Sequence, residues 1–268
     1  MRTGLSTAVL LCWALLALLA PLLPLHPAQI DLPQILATPG PQQLLGNDDL
    51  GRPVLDRLIM GARTSFVVAV GVVLLSSSFG SLLGAASAYL GGVADHILVR
   101  VIDIFLAFPG ILLAIALAGL MGAGLENVVI ALSVVGWVGF ARLARAQVLS
   151  LKTRDHVQAA IGLGASRLRI VGRHLIPLIL APLIIEATFA VAGVVIAEAG
   201  LSFLGLGIQP PTPSWGSMIR DGTRYMLVSS HMVLVPGVAL MLVVLAVNML
   251  GDRLRDRMDV RTRRRNGS

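Results

Sequence analysis

Charged residues and cysteine are both scarce in this sequence, and each scarcity excludes a class of protein. Only 13% of the 268 residues are Asp, Glu, Lys or Arg, about half of the share that is usual in soluble domains. The charges are also clustered, so that long intervals, such as residues 64–94, contain none. This distribution excludes an ordinary soluble domain and places the chain among membrane proteins.

The single cysteine, Cys12, excludes an internal disulfide and a cysteine-based metal site. The five histidines are scattered, and none lies three or four residues from another. We therefore predict that the chain holds no metal and no cofactor of its own. The net charge of +7 could indicate nucleic-acid binding, but the basic residues lie between or after apolar runs, where a membrane boundary explains them. We expect no nucleic-acid partner.

Six apolar runs have the length of about 20 residues that a helix needs to cross a bilayer. They are 5–25, 66–89, the uncharged interval between Asp103 and Glu126, 128–148, 177–201 and 231–251. Pro109 predicts a kink in the third run. The apolar core of a signal peptide usually has about 7–15 residues, and the first run is longer. We therefore expect it to be retained as a membrane anchor. The prediction is an all-α membrane protein with six transmembrane helices.

Basic residues are distributed unequally between alternate loops. If the N-terminus is inside, 16 of the 21 Lys and Arg residues fall in inside segments, and the positive-inside rule then places both termini in the cytoplasm. The predicted segments are an anchor at 1–25, a periplasmic segment at 26–65, a five-span core at 66–251 and a basic cytoplasmic tail at 252–268. The core includes a cytoplasmic loop at 149–176 and a periplasmic loop at 201–230.

The cytoplasmic loop at 149–176 is too polar to cross a membrane, yet it is patterned. Its apolar residues recur at three- and four-residue spacing: Ile161, Gly164, Leu168, Val171 and Leu175. This spacing predicts one apolar stripe on a helix. Because Gly162 and Gly164 interrupt the helix, we predict two short helices joined by a turn, the second with Ser166 as its N-cap. Such an element can lie on anionic lipid or dock in a groove of another protein.

Two acidic residues lie in the predicted fifth span, where an ionised side chain costs about 2.5–3.5 kcal/mol on insertion scales. Glu186 and Glu198 are twelve residues apart, which separates them by about 18 Å along a helix and about 120° around it, so they cannot form one site. Each is a candidate to line a solute pathway, with burial against a neighbouring helix as the alternative. Asp103, at the start of the third span, is expected to be a capping or interfacial residue.

The loop after the fifth span contains further candidates. Ser202, Phe203 and Trp215 could shape an outer gate, and ordinary loop packing is the alternative. The segment between them contains Pro210, Pro211 and Pro213, which excludes a regular helix there.

Four stretches of sequence carry a resemblance. VQAAIGLGAS at 157–166, continuing to HLIP at 174–177, resembles the "EAA" loop of ABC importer permeases. LGNDDLGR at 45–52, AEAGLSFLGLG at 197–207 and NMLGDRLRD at 248–256 narrow the resemblance to the dipeptide/oligopeptide/nickel permease family, on the side of its second, C-type, subunit. In the "EAA" loop, Gln158 stands where the motif has its glutamate, and this replacement puts any role of the glutamate's charge in doubt.

The resemblance implies a permease subunit of an ATP-driven importer in the bacterial inner membrane. The residues implied to contact an ATPase are Gln158, Ala159, Ala160, Gly164, Ala165, Ser166, Leu168 and Val171. The implied partners are a second permease subunit in a heterodimer, two cytoplasmic ATP-binding subunits, a periplasmic solute-binding protein and membrane lipid. ATP and Mg would be bound by the partner subunits, because this chain has no phosphate-binding G-x-x-x-x-G-K-[ST] motif and is not itself an enzyme.

Short peptides are the expected solute, and nickel, metal chelates and opine-like solutes are the alternatives. A different class, an ion-coupled secondary transporter, would need no ATPase. It predicts inverted repeats and paired charges within the membrane, and the sequence shows neither.

Overall fold

The computed structural model describes residues 2–41 and 43–266, with side chains described for 4–41 and 43–258. Residue 1 of the predicted anchor lies outside the described residues, as do residues 267 and 268 of the predicted basic tail and the tail's side chains from 259 onward. The described part of the chain is helical and contains no strand, and one β-bridge joins Asn47 to Pro53.

Ten α-helices follow one another along the described chain. They are α1 (Arg2–Leu19), α2 (Val54–Leu90), α3 (Gly92–Leu106), α4 (Gly110–Met121), α5 (Leu125–Leu151), α6 (Asp155–Gly162), α7 (Arg167–Arg169), α8 (Ile176–Phe203), α9 (Trp215–Thr223) and α10 (His231–Asn266). Short 3₁₀ turns lie at Ala20–Leu22 and Leu32–Gln34. A π-helical turn at Ile170–Leu175 joins α7 to α8, just before Pro177, which has no N–H to donate to the preceding turn.

Five helices of the described chain are long and apolar enough to cross a membrane: Gly4–Leu22, Val54–Leu90, Leu125–Leu151, Arg167–Phe203 and His231–Met258. A sixth crossing requires α3 and α4 to count as one span, although they meet at 85°. The predicted number of six spans therefore depends on this bent pair.

The third predicted span is not one straight helix. α3 already begins at Gly92 and ends at Leu106, and α4 begins only at Gly110. Pro109 lies in the break, so the predicted kink is a bend of 85° that a proline, with no N–H and a ring that clashes with the preceding turn, readily causes. The predicted kink is confirmed, and only the predicted start at Asp103 was wrong, because charged residues such as Asp95 and Arg100 lie within α3 and do not end it.

Two other helices extend beyond the spans that charge alone predicted. α2 begins at Val54 rather than at residue 66, and α10 continues beyond residue 251 to Asn266. Charged residues were used as span limits, but Asp56 and Arg57 simply occupy the first turn of α2. A charge limits how deep a residue lies in the bilayer and does not end a helix.

Contacts within the chain group its residues into two compact units. Unit 1 contains the described residues of Met1–Gly71, Ile115–Leu132 and Val191–Leu250. Unit 2 contains the described residues of Val72–Ala114, Ser133–Ala190 and Gly251–Ser268.

Unit 1 is organised around two buried tryptophans that bind the backbone of α2. Trp13 Nε1 donates to the carbonyl of Ala62 at 3.0 Å, and Trp215 Nε1 donates to the carbonyl of Leu58 at 3.0 Å. The two acceptors are one helical turn apart, and the two indole centroids are 6.5 Å apart. Phe66 packs edge-on against Trp13 at 5.2 Å. Both indole N–H groups are therefore satisfied inside an apolar cluster, as buried tryptophan requires.

Unit 2 is organised around a close approach of α2 and α5. A side chain at Gly84 would overlap the backbone of Ala141, and one at Gly80 would overlap the carbonyl of Trp137. Small residues allow this backbone contact, which supplies the packing that holds helices together in lipid. The ring of Trp137 is packed edge-on by Phe79 and Phe105, with centroids at 5.8 and 5.5 Å.

Enlarging the residue at this close approach should destabilise the protein. We expect Gly84→Ala to lower the free energy of unfolding by about 1–3 kcal/mol, the usual cost of overpacking. Gly71→Ala on the same helix is the matched control, because its added carbon would lie 3.6 Å from Val129 Cγ1, an ordinary contact. Thermal unfolding of both variants in detergent measures the difference, and equal stability of the two would contradict the packing described.

Candidate functional site

The loop between α5 and α8, in unit 2, has the predicted turn and cap. α6 packs through the buried side chains of Val157 and Ala160. Gly164 adopts a φ of +78°, a left-handed conformation that favours glycine. Ser166 then caps the next helix, since its side chain accepts a hydrogen bond from the Arg169 N–H at 3.4 Å. The prediction of two short helices joined by a turn is confirmed, although the second runs on into α8.

The predicted single apolar stripe was wrong. Leu168 is 87% exposed, whereas Leu175 is buried in unit 2. The turn at Gly164 and the π-helical turn shift the helical register, so three- and four-residue spacing does not continue along one face. The sequence reasoning also missed Leu163, which is 88% exposed. Two leucines on either side of one turn therefore lie almost fully uncovered.

The other predicted contact residues of this loop differ in exposure. Gln158, Ala159, Gly164 and Ser166 are exposed, Ala165 and Val171 are half-buried, and Ala160 is buried. Gln158 Nε2 donates to the carbonyl of Lys152 at 2.8 Å. The Lys152 ammonium in turn donates to the carbonyl of Ala88 at the end of α2, at 3.0 Å.

Three of the predicted pathway or gate residues, Glu198, Ser202 and Trp215, are buried in unit 1. Glu198 is fully buried; one of its oxygens accepts from Ser202 Oγ at 2.8 Å and the other from Ser65 Oγ at 3.0 Å. The Ser202 hydroxyl also accepts from the N–H of Ile208 at 3.2 Å. Trp215 is buried, and Phe203 is exposed. Glu198, Ser202 and Trp215 thus form internal contacts that hold the loop after α8. This arrangement matches the loop-packing alternative.

Glu186 is placed differently, in a cavity of unit 2. The cavity has a volume of about 720 Å³ and is lined by α3, α5 and the start of α8. Its charged lining residues are Asp103, Arg142, Arg145 and Glu186. Asp103 is therefore a cavity residue rather than only the cap or interfacial residue expected from the sequence. Among residues 4–41 and 43–258, no three His, Cys, Asp or Glu side chains are placed to hold a metal ion.

An ion cluster in unit 1 was not recognised from the sequence. One oxygen of Asp48 accepts from Arg52 Nε at 2.7 Å and lies 3.2 Å from Arg57 Nε. The other oxygen accepts the N–H groups of Leu50 and Arg52, each at 2.9 Å. Both guanidinium groups are buried. The signal was present in LGNDDLGR at 45–52, where two adjacent acids precede Arg52, with Arg57 five residues further on.

Asp49 and Asp221 belong to the edge of this cluster. Asp49 lies 3.6 Å from Arg52, and Asp221 lies 3.8 Å from Arg57. Burial raises the pKa of Asp49, the carboxylate of Asp48 raises it further, and Arg52 opposes both. Asp48 is thus the central acceptor, and Asp49 carries a charge that the fold disfavours.

Comparison with known proteins gives consistent matches. Residues 79–264 match the family model described as "Binding-protein-dependent transport system inner membrane component". The chain is 39% identical over 253 residues to the dipeptide transport system permease protein DppC of Haemophilus influenzae, covering 92% of this chain and 86% of that protein. It is 42% identical over 216 residues to the di/tripeptide transport system permease protein DppC of Pseudomonas aeruginosa, covering 81% and 71%.

A third relative and a solved structure extend the comparison. The chain is 39% identical over 229 residues to the glutathione transport system permease protein GsiD of Pectobacterium atrosepticum, covering 85% of this chain and 76% of that protein. Its backbone is similar to an inward-facing structure of the MetNI methionine ABC transporter, with a TM-score of 0.60 and 19% identity over 76% of this chain and 97% of that chain. The structural match concerns the fold alone.

The two neighbouring acids of the ion cluster should respond differently to the same substitution. We expect Asp48→Asn to lower the free energy of unfolding by about 3–5 kcal/mol, because it leaves two buried guanidinium groups without their central acceptor. Asp49→Asn should lower the free energy of unfolding by less than about 1 kcal/mol. Since folding raises the pKa of Asp49, its ionised form is penalised in the folded protein at neutral pH, and a neutral amide removes that penalty.

Thermal unfolding in detergent at neutral pH compares these two variants. Asp31→Asn, an exposed acid in the same segment, controls for the loss of one negative charge. A larger loss of stability for Asp49→Asn than for Asp48→Asn would reverse the assignment of the central acceptor.

Proposed function

The chain belongs to the family of inner membrane components of binding-protein-dependent transport systems, and on that premise we propose that it forms half of a solute pathway for short peptides. ATP hydrolysis on separate subunits would drive this pathway. The observation that carries the proposal is the pair of uncovered leucines, Leu163 and Leu168, on the α6–α7 turn. Burying one leucine side chain contributes about 1.5–3 kcal/mol, so this pair is suited to an apolar groove on a partner.

The distribution of basic residues supports a cytoplasmic location for this turn. Because 16 of the 21 Lys and Arg residues fall in these segments, the positive-inside rule supports a cytoplasmic side for the 149–176 loop and both termini. The partners proposed there are two ATP-binding subunits, which bind ATP and Mg. A second permease subunit would complete the pathway as a heterodimer, and a periplasmic binding protein would deliver the solute.

The resemblance to peptide permeases supports short peptides as the solute. Two of the relatives named above are dipeptide or di/tripeptide permeases, and a third is a glutathione permease. Glutathione is itself a tripeptide and is the second candidate. Nickel, metal chelates and opine-like solutes are the alternatives that the same uptake assay tests.

Uptake by cells with and without this gene tests the solute. We expect deletion to abolish uptake of a labelled dipeptide and to leave uptake of radioactive nickel unchanged, with recovery when the gene is restored on a plasmid. Labelled glutathione, assayed in parallel, distinguishes the second candidate. Loss of nickel uptake alone would overturn the peptide proposal.

The docking role of the turn is tested by placing a charge on it. We expect Leu168→Asp to weaken association with the ATP-binding subunits about 30-fold, the equivalent of about 2 kcal/mol at an interface hot spot. Dipeptide uptake should fall with it, while the amount of permease in the membrane stays unchanged. Copurification of the ATP-binding subunits with tagged permease measures the association.

Leu44→Asp is the matched control, because Leu44 is 69% exposed but lies in the segment before α2. It should copurify the ATP-binding subunits normally. If Leu168→Asp also copurified them normally and imported peptide at the ordinary rate, the turn would not be the docking element.

A further inference from the structure

The cavity that contains Glu186 is built from matching faces of two helices of unit 2. On α3 the lining residues are Val99, Ile102, Asp103 and Leu106, and on α5 they are Gly139, Arg142, Leu143, Arg145 and Ala146. Spacing of three and four residues places each of these sets largely on one face of its helix. The volume of about 720 Å³ lies within the range of about 300–1,000 Å³ that is usual for small-molecule sites.

The four charged groups of this cavity differ in whether the chain neutralises them. Arg145 forms two hydrogen bonds with Asp95, from Nε at 2.6 Å and from Nη2 at 2.7 Å, so its charge is matched. Within the part of the chain that the structure describes, Asp103, Arg142 and Glu186 have no ion pair and no side-chain hydrogen bond. Two carboxylates and one guanidinium are left to face the cavity.

Asp103 and Arg142 are exposed and Glu186 is half-buried, so all three are open to a ligand in the cavity that they line. Charged residues at apolar spans commonly face a water-filled cavity or a partner. A ligand that pairs with all three residues must carry a positive charge for the two carboxylates. It must also carry a carboxylate for Arg142, because the planar guanidinium forms two parallel hydrogen bonds with a carboxylate. The free ends of a short peptide, an ammonium and a carboxylate, have this chemistry.

We propose that this cavity binds the two charged ends of a peptide in transit, with Asp103 and Glu186 facing the ammonium and Arg142 facing the carboxylate. The inference rests on the proposed peptide function and adds a recognition site to it. The apolar walls formed by Ile102, Leu106 and Leu143 then accept peptide side chains with little selection.

Gly139 keeps the space that the Glu186 carboxylate occupies. A Cβ at position 139 would lie 3.3 Å from Glu186 Oε1, closer than an ordinary contact. Any larger residue there must displace the carboxylate or be displaced by it. Gly139 thus lines the cavity itself and, having no side chain, leaves room for the Glu186 carboxylate.

Binding to the complete importer, solubilised without its binding protein, tests the assignment of each end. The probes are a dipeptide with free ends, the same dipeptide with an amidated C-terminus and the same dipeptide with an acetylated N-terminus. The variants are Arg142→Gln, Glu186→Gln and Asp103→Asn. Arg224→Gln and Glu126→Gln are controls, because both residues are exposed, as Asp103 and Arg142 are, but lie outside the cavity.

The assignment predicts a specific pattern of pairings between variant and probe. Arg142→Gln should weaken binding of the free dipeptide about tenfold, the worth of one charge-assisted hydrogen bond, and should leave binding of the amidated peptide unchanged. Glu186→Gln and Asp103→Asn should weaken binding of the free dipeptide and leave binding of the acetylated peptide unchanged. Such pairwise coupling separates a direct contact from a general disturbance of the fold.

Three results would overturn the inference. The first is equal weakening of all probes by every cavity variant, and the second is no dipeptide binding to the wild-type importer. The third is loss of the second permease subunit from the purified complex of the cavity variants, which would mean that these charges pair with that subunit. Failure of the peptide function is distinguished separately, because deletion of the gene would then leave dipeptide uptake unchanged.

Discussion

A charge or hydrogen-bonding group that leaves water must find its partner inside the protein, and the rest of this structure follows from how the chain meets that requirement. In a low-dielectric interior an unmatched charge is far more costly than in water, and so is an unbonded donor. Asp48 meets the requirement with three hydrogen-bond donors, from Leu50 and Arg52, and an ion pair with Arg57. Glu198 meets it with two serine hydroxyls. The segment before α2 and the loop after α8 are each held by such a contact rather than by regular secondary structure.

The charged residues that line the cavity of unit 2 differ in whether the chain neutralises them. Asp95 neutralises Arg145, but the neighbouring Arg142 has no such partner within the described chain. The apolar counterpart is the turn at Gly164, where two leucines remain uncovered although buried residues lie on either side of them. Internal pairing therefore separates structural acids, such as Glu198, from the acids that face a cavity, such as Glu186. Position in the span alone did not make that distinction.

Much of this fold could be predicted from the sequence, because hydrophobic length and glycine or serine at a turn are local properties. The spans around α5, α8 and the start of α10 were predicted within a few residues, and so was the Ser166 cap. The 85° bend between α3 and α4 could only be predicted as a kink, since its size depends on tertiary packing. The burial of Glu198 and the cluster around Asp48 depend on partners up to 164 positions apart, and local spacing carries no information about them.

The replacement of the motif glutamate by Gln158 has a local electrostatic explanation. The residue lies beside the last carbonyl groups of α5, where the helix end carries partial negative charge. An amide can donate to the Lys152 carbonyl, as it does here at 2.8 Å, whereas a carboxylate could only accept and would be repelled. Lys152 continues this chain of contacts to the end of α2, so Gln158 helps to hold α6 against two spans. With Gln158 bonded inside the loop, Leu163 and Leu168 are its largest uncovered apolar side chains, and the docking proposed there would rest on apolar burial rather than on the charge of a motif glutamate.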